Sequence, residues 1–225
     1  MIVPTGIAVC VIALAIPRIA AYSMTAPWAE VVPAALEEGR MIEPRIFLDD
    51  AVSDFKRAVG YHGSDAVLLQ DLARLHSRQE DWTSAEEDLR LSLAAAPNRA
   101  FVWSLLARAS TERGMPPDIV ASFVRLSYQT GPREASSVLV RSALIAKNWT
   151  QFPEDIQRIG KMDFQNIYDT PWMRREMVQM YLDSDFAGRS AFRDTVLQTP
   201  RDARVFDKLL EKSLGLPAMS PRLAH

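Results

Sequence analysis

This 225-residue chain has one cysteine, three histidines and only nine glycines. Cys10 has no second cysteine to meet, so no intramolecular disulfide braces the fold. His62, His76 and His225 are scattered, and no two of them have metal-ligand spacing. The glycines form no phosphate-cradling loop and no nucleophile elbow. An excess of one charge is also missing. With 26 basic and 28 acidic residues the net charge is −2, which gives no global field to attract nucleic acid. The sequence therefore nominates no catalytic residue, no metal site and no cofactor.

Acidic pairs do occur, at Asp49-Asp50, Glu86-Glu87-Asp88, Glu154-Asp155 and Asp183/Asp185. Two carboxylates do acid–base work only in a shielded cleft that separates their protonation states. These sit at helix starts or on faces read as solvated, where acids serve the positive end of the helix dipole. The expectation is a chain that is not an enzyme.

What the chain does contain is a hydrophobic fraction of 48% against 24% charged, enough for a sizeable folded core. Residues Ile2 to Ile16 carry no charge. That run has the length of a signal-peptide core, and extension through Arg18 to Met24 reaches the ~20 residues of a membrane span. No basic residue precedes it, and no good small-x-small cleavage site follows, so the reading is an uncleaved anchor over 1–24, with a cleaved signal segment as the alternative. Trp28, just beyond, suits a membrane interface. Arg18 and Arg40 favour a cytoplasmic body by the positive-inside rule, but a soluble domain after a signal-like segment is ordinarily exported. The expectation is an extracytoplasmic, periplasmic-type location. Residues 25–48, with Pro27, Pro33, Gly39 and Pro44, read as a linker or irregular helix.

From about residue 32 a period of 34 residues governs the pattern, with clear helical signals from Leu48. Leu69, Leu72, Ala73, Ala85, Leu89 and Pro97 are followed one period later by Trp103, Leu106, Ala107, Ile119, Phe123 and Gly131. Ala51, Phe55 and Gly63 occupy the matching slots one period earlier. The spacing predicts helices to Tyr61 (capped by Asp49 or Asp50), then over 66–79, 82–96, 100–113 and 117–130. Breaks of two to four residues make neighbours antiparallel. A fixed period of this length marks a stacked helical array. The unit at 134–168 fits poorly, because Pro153 takes the slot of a small residue. Helices are expected at 134–147, 171–183, 187–198 and 202–214, the last as a cap. Trp82, Trp103, Trp149, Trp172 and His76 fall on repeat slots and are read as core.

These residues resemble the tetratricopeptide repeat family. The resemblance covers 66–133 closely and the flanking units loosely. It implies an all-α fold of antiparallel helix pairs stacked as a right-handed solenoid over 49–133. A divergent helical region (134–214), a tail (215–225) and a preceding hydrophobic helix complete the plan. Ile119, where the family has alanine, implies a slightly splayed pair. The family's concave groove is lined by the first helix of each pair. Its slots here hold Gln70, Arg74, Arg78, Phe101, Ser104, Arg108, Thr111 and Glu112, with Arg40 in the preceding unit. Arginine at one slot in three successive units fits an anionic partner, since guanidinium forks bind carboxylates and phosphates in two-point fashion. The layout is similar to small membrane-anchored repeat proteins of bacterial exopolysaccharide and envelope assembly. It implies a scaffold that binds protein partners, with an anionic glycan or small ligand as the alternative.

Overall fold

The computed structural model describes residues 15–28, 45–63 and 65–215. Most of the uncharged N-terminal run, Arg40, and the tail from 216 lie outside them. Among the described residues the regular structure is helical throughout. The α-helices are α1 (15–25), α2 (Arg45–Tyr61), α3 (Ala66–Arg78), α4 (Trp82–Ala95), α5 (Ala100–Glu112) and α6 (Pro117–Thr130). They continue as α7 (Ala135–Lys147), α8 (Glu154–Asp169), α9 (Arg174–Asp183), α10 (Phe186–Val196) and α11 (Pro200–Ser213). Short 3-10 turns precede α8 and α9 at Trp149–Gln151 and Pro171–Met173.

Local chemistry sets the boundaries. Asp65 caps α3 by accepting from the Val67 and Leu68 amides at 2.9 and 3.2 Å. Asp81 does the same for α4 through Ser84. Asp49 and Asp50 cap nothing, because α2 begins earlier and carries both within it. Pro117 and Pro200 occupy first helical positions, where no amide donor is needed. The turns after α3 and α5 share one geometry: the Asp81 amide reaches the His76 carbonyl and the Met115 amide reaches that of Ser110, both at 2.9 Å. Each needs one left-handed residue, Glu80 (φ 60°) in the first and Gly114 (φ 71°) in the second.

Helices α3–α4 and α5–α6 are antiparallel pairs, and α4 packs on α5 to stack them. Leu69, Leu72, Ala73, Ala85, Leu89, Leu106 and Ala107 are buried as the period requires. Ile119 does not splay its pair. It is 38% exposed, and Val120, Ala121 and Val124 face the core instead. The turn at 113–116 is one residue longer than that at 79–81, so α6 runs one step out of the 34-residue phase. Phe123 is accordingly displaced from the central slot and stacks on Trp103 at 6.0 Å.

The later helices depart from this plan. Pro153 stands before α8 rather than inside it, and a 16-residue helix follows where the repeat pattern is weakest. Helix α9 packs on α7 and α11, while α10 turns away to lie against α8 and the end of α7. Gly188 permits that approach, for a Cβ there would stand 2.0 Å from the Ala146 carbonyl oxygen. Trp172 is 66% exposed, not core.

Among the described residues no helix is long and apolar enough to cross a membrane. Residues 15–28, which the sequence reading divided between anchor and linker, pack on the array. Ala21 is fully buried with Phe55, Leu68 and Leu72, and Met24 and Trp28 lean on the same cluster. Trp28 donates its indole N–H to Asp54 at 3.0 Å, and the Tyr22 hydroxyl reaches Asp65 at 3.0 Å.

Candidate functional site

The first helices of the two regular pairs, α3 and α5, bring Arg74, Arg78, Phe101 and Arg108 of the expected groove residues together. Arg78 at the end of α3 feels both Arg74 and Arg108. Burial, then repulsion by Arg108 and Arg74, lowers its pKa from the ordinary guanidinium value. Three arginines therefore share one patch. Aromatic rings support two of them: Arg74 stands 5.7 Å over the Phe101 ring and Arg108 lies 5.7 Å over Trp82. A ring beneath a guanidinium orients it and leaves its N–H edge free.

Asp71 is the acid closest to this patch, and it accepts from Arg74 Nη1 at 3.3 Å. Burial raises the Asp71 carboxyl above its usual range against the pull of Arg74, Gln70 and Arg99. Arg99, at the start of α5, donates to the Gln70 side-chain Oε1 at 2.7 Å and adds a fourth cation at the edge. Its Nη1 is buried with no hydrogen-bond partner among the described residues.

Other expected groove residues lie elsewhere. Ser104 is fully buried and donates to the Phe101 carbonyl, so it offers nothing to a ligand. Gln70 is nearly buried and occupied by Arg99. Thr111 is half-buried and donates to the Ala107 carbonyl. Glu112 is exposed and meets Lys147 at 3.4 Å, which brings α7 to the end of the patch. Arg40 lies outside the described residues. The sequence reading missed Arg99, Trp82 and Asp71 as participants. Arg99 and Trp82 belong to turns and helix starts, and only the stacking of α5 on the first pair carries them to the patch.

The acidic pairs are engaged structurally. Glu86 is buried rather than solvated and receives Arg90 and Arg113. Burial pushes its carboxyl up, but those two arginines outweigh burial and hold it below the usual range. Asp155 pairs with Arg125 at 2.6 Å, and Asp185 caps α10 through the Gly188 amide. Among the later helices an open cleft of about 390 Å³ lies between α8 and α10. Trp149 and Phe186 line it, with Lys161 and Asp194 among its polar residues.

No protein-family model and no curated protein sequence matches the chain. Among solved structures it is similar to a thermophilic TPR protein of Thermus thermophilus, with a TM-score of 0.49 at 18% identity over 72% of this chain and 90% of that one. It is also similar to a Bacteroides ovatus chain assigned to protein binding, with a TM-score of 0.35 at 14% identity over 86% and 99%. Both scores fall below 0.5, so the functional reading rests on the geometry of the patch.

Proposed function

We propose that this protein is a non-enzymatic scaffold that binds an acidic segment of a protein partner on the inner faces of α3 and α5. The observation that carries the reading is the gathering of Arg74, Arg78 and Arg108, with Arg74 and Arg108 set over the Phe101 and Trp82 rings and Asp71 paired to Arg74. Clustered guanidinium groups repel one another, and an incoming carboxylate relieves that repulsion while taking two-point hydrogen bonds. A glycan would need an open aromatic platform, and Phe101 and Trp82 already carry Arg74 and Arg108. That observation favours a protein partner over the glycan.

The uncharged run Ile2–Ile16 supports membrane attachment of the N-terminus and a body on the extracytoplasmic side. One apolar segment, two regular repeats and an irregular helical region together support a role in exopolysaccharide or cell-envelope assembly, by similarity of layout alone. The test is purification of the tagged chain from gently solubilised membranes of its own host. The expected result is a stoichiometric envelope-assembly protein carrying an acidic segment. A chain that emerges alone under mild, low-salt conditions counts against the scaffold reading.

A further inference from the structure

Helix α1 has two apolar faces, and the array covers one of them. Ala21, Met24, Thr25 and Trp28 turn toward α2 and α3. Ile16, Ile19 and Tyr22 follow one another at three-residue steps along the other side, and such steps keep side chains on one helix face. Ile16 is 60% exposed and Ile19 is 66% exposed, far more than an isolated helix docked by its apolar face would leave. Arg18 lies between them, its guanidinium 5.9 Å over the Tyr22 ring. The uncharged run from Ile2 leads directly into this exposed face at Ile16.

We propose that the Ile16–Ile19–Tyr22 face of α1 rests in the interfacial layer of a lipid bilayer while its opposite face stays docked on α2 and α3. The proposal rests on the membrane reading above and adds a geometry to it. Isoleucine side chains enter the acyl boundary, tyrosine sits at headgroup depth, and Arg18 meets lipid phosphate. The same segment is pinned to the array at Tyr22, on the edge of the exposed face, whose hydroxyl reaches Asp65, and at Trp28, in the turn after α1, whose indole reaches Asp54. Asp65 also caps α3, so the bilayer contact is tied to the first regular pair. Attachment through α1 therefore holds the array in a fixed pose, with its N-terminal end against the membrane.

The test uses the full chain with Cys10→Ser and one spin-labelled cysteine, reconstituted in vesicles of phosphatidylcholine and phosphatidylglycerol. Ile19→Cys is compared with Ser23→Cys on α1 and Leu91→Cys on α4, all at exposed positions. The expected result is flotation with the vesicles and a severalfold higher ratio of oxygen to nickel-complex collisions at 19 than at 91, with the ratio also raised at 23, four residues on along the same face. A chain that floats while position 19 stays as open to nickel as position 91 overturns the docked-interface geometry and leaves the attachment reading standing. Failure to float overturns both. Protection at 19 before vesicles are added also overturns the proposal. It assigns the face to a second copy if it depends on concentration, and to another segment of the chain if it does not.

Discussion

Between Ala66 and Thr130 the two helix pairs are closed by the same small device. The Ser92 hydroxyl donates to the Ala66 carbonyl at 2.7 Å, and the Ser127 hydroxyl donates to the Ala100 carbonyl at 2.9 Å. Each serine ties the second helix of a pair to the first residue of its partner helix. Beyond Ala135 an ion pair takes over. Arg141 is fully buried and gives Asp163 two hydrogen bonds of 2.9 Å. Its remaining N–H groups go to the Ser127 hydroxyl and the Gly131 and Pro132 carbonyls. All five donors are thereby used, which a guanidinium requires to be tolerated in a dry interior. Aromatic stacking is likewise kept but moved. Trp103 on Phe123 has its counterpart in Trp149 on Phe164 at 5.9 Å, with Trp149 supplied by a turn instead of a helix. The regular half keeps its period because small residues close it. The irregular half drops the period because long side chains and a glycine contact close it.

That contrast breaks most visibly at the ion pair. Asp163→Ala leaves Arg141 buried without its counter-charge, and a loss of about 3–5 kcal/mol in urea unfolding is expected. A cost under about 1 kcal/mol would mean that the network does not hold the later helices to the pair before them.

The two halves also answer pH with opposite signs. Burial raises the Asp163 carboxyl to about 6 against the pull of Arg141, so its folded pKa stands above the unfolded value. The pH-dependent part of its contribution is full in acid and falls as pH rises through about 6, while the ion pair with Arg141 remains above that pH. Glu86 is shifted the other way, so its contribution is present above the ordinary glutamate range and is lost as pH falls. Unfolding measured from pH 4 to pH 7 should show the wild-type advantage over Asp163→Asn shrinking with rising pH. The advantage over Glu86→Gln should shrink with falling pH. Parallel curves for the two variants would remove the distinction.

Packing at the end of α7 sharpens the same comparison. Gly188→Ala places a Cβ against the Ala146 backbone, and a cost of about 1–3 kcal/mol is expected in thermal or urea unfolding. Hydrogen exchange should localise the loosening to α7 and α10. The smallest effect lies in the regular half. Glu80 holds a left-handed conformation that Gly114 supplies without strain in the next turn, so Glu80→Gly should stabilise by up to about 1 kcal/mol. Destabilisation there would show that the two turns are not equivalent.

Legibility in the sequence follows the same division. Where small residues close the pairs, the 34-residue period placed α3 to α6 within a residue or two of their observed ends. It erred on Ile119 because a single extra turn residue shifts α6 without disturbing the apolar pattern. Where Arg141 and Asp163 meet, 22 positions apart, nothing local distinguishes them from surface charges. Pro153 breaks the repeat phase at the slot of a small residue, and the helix that follows it, α8, has no counterpart in the 34-residue pattern. Arg74, Arg78 and Arg108 were legible because their slots repeat. Arg99 and Trp82 were not, since turns carry no phase. Ser104 misled because a groove slot and a buried slot differ by one helical step.

The most direct test of the scaffold reading is titration of the co-purified partner onto the immobilised chain, wild type against Arg74→Glu with Arg108→Glu. The account predicts binding weakened roughly tenfold or more by the double reversal, and by added salt in the wild type alone. Equal affinity of the two chains, with an unfolding profile that shows both folded, would contradict it.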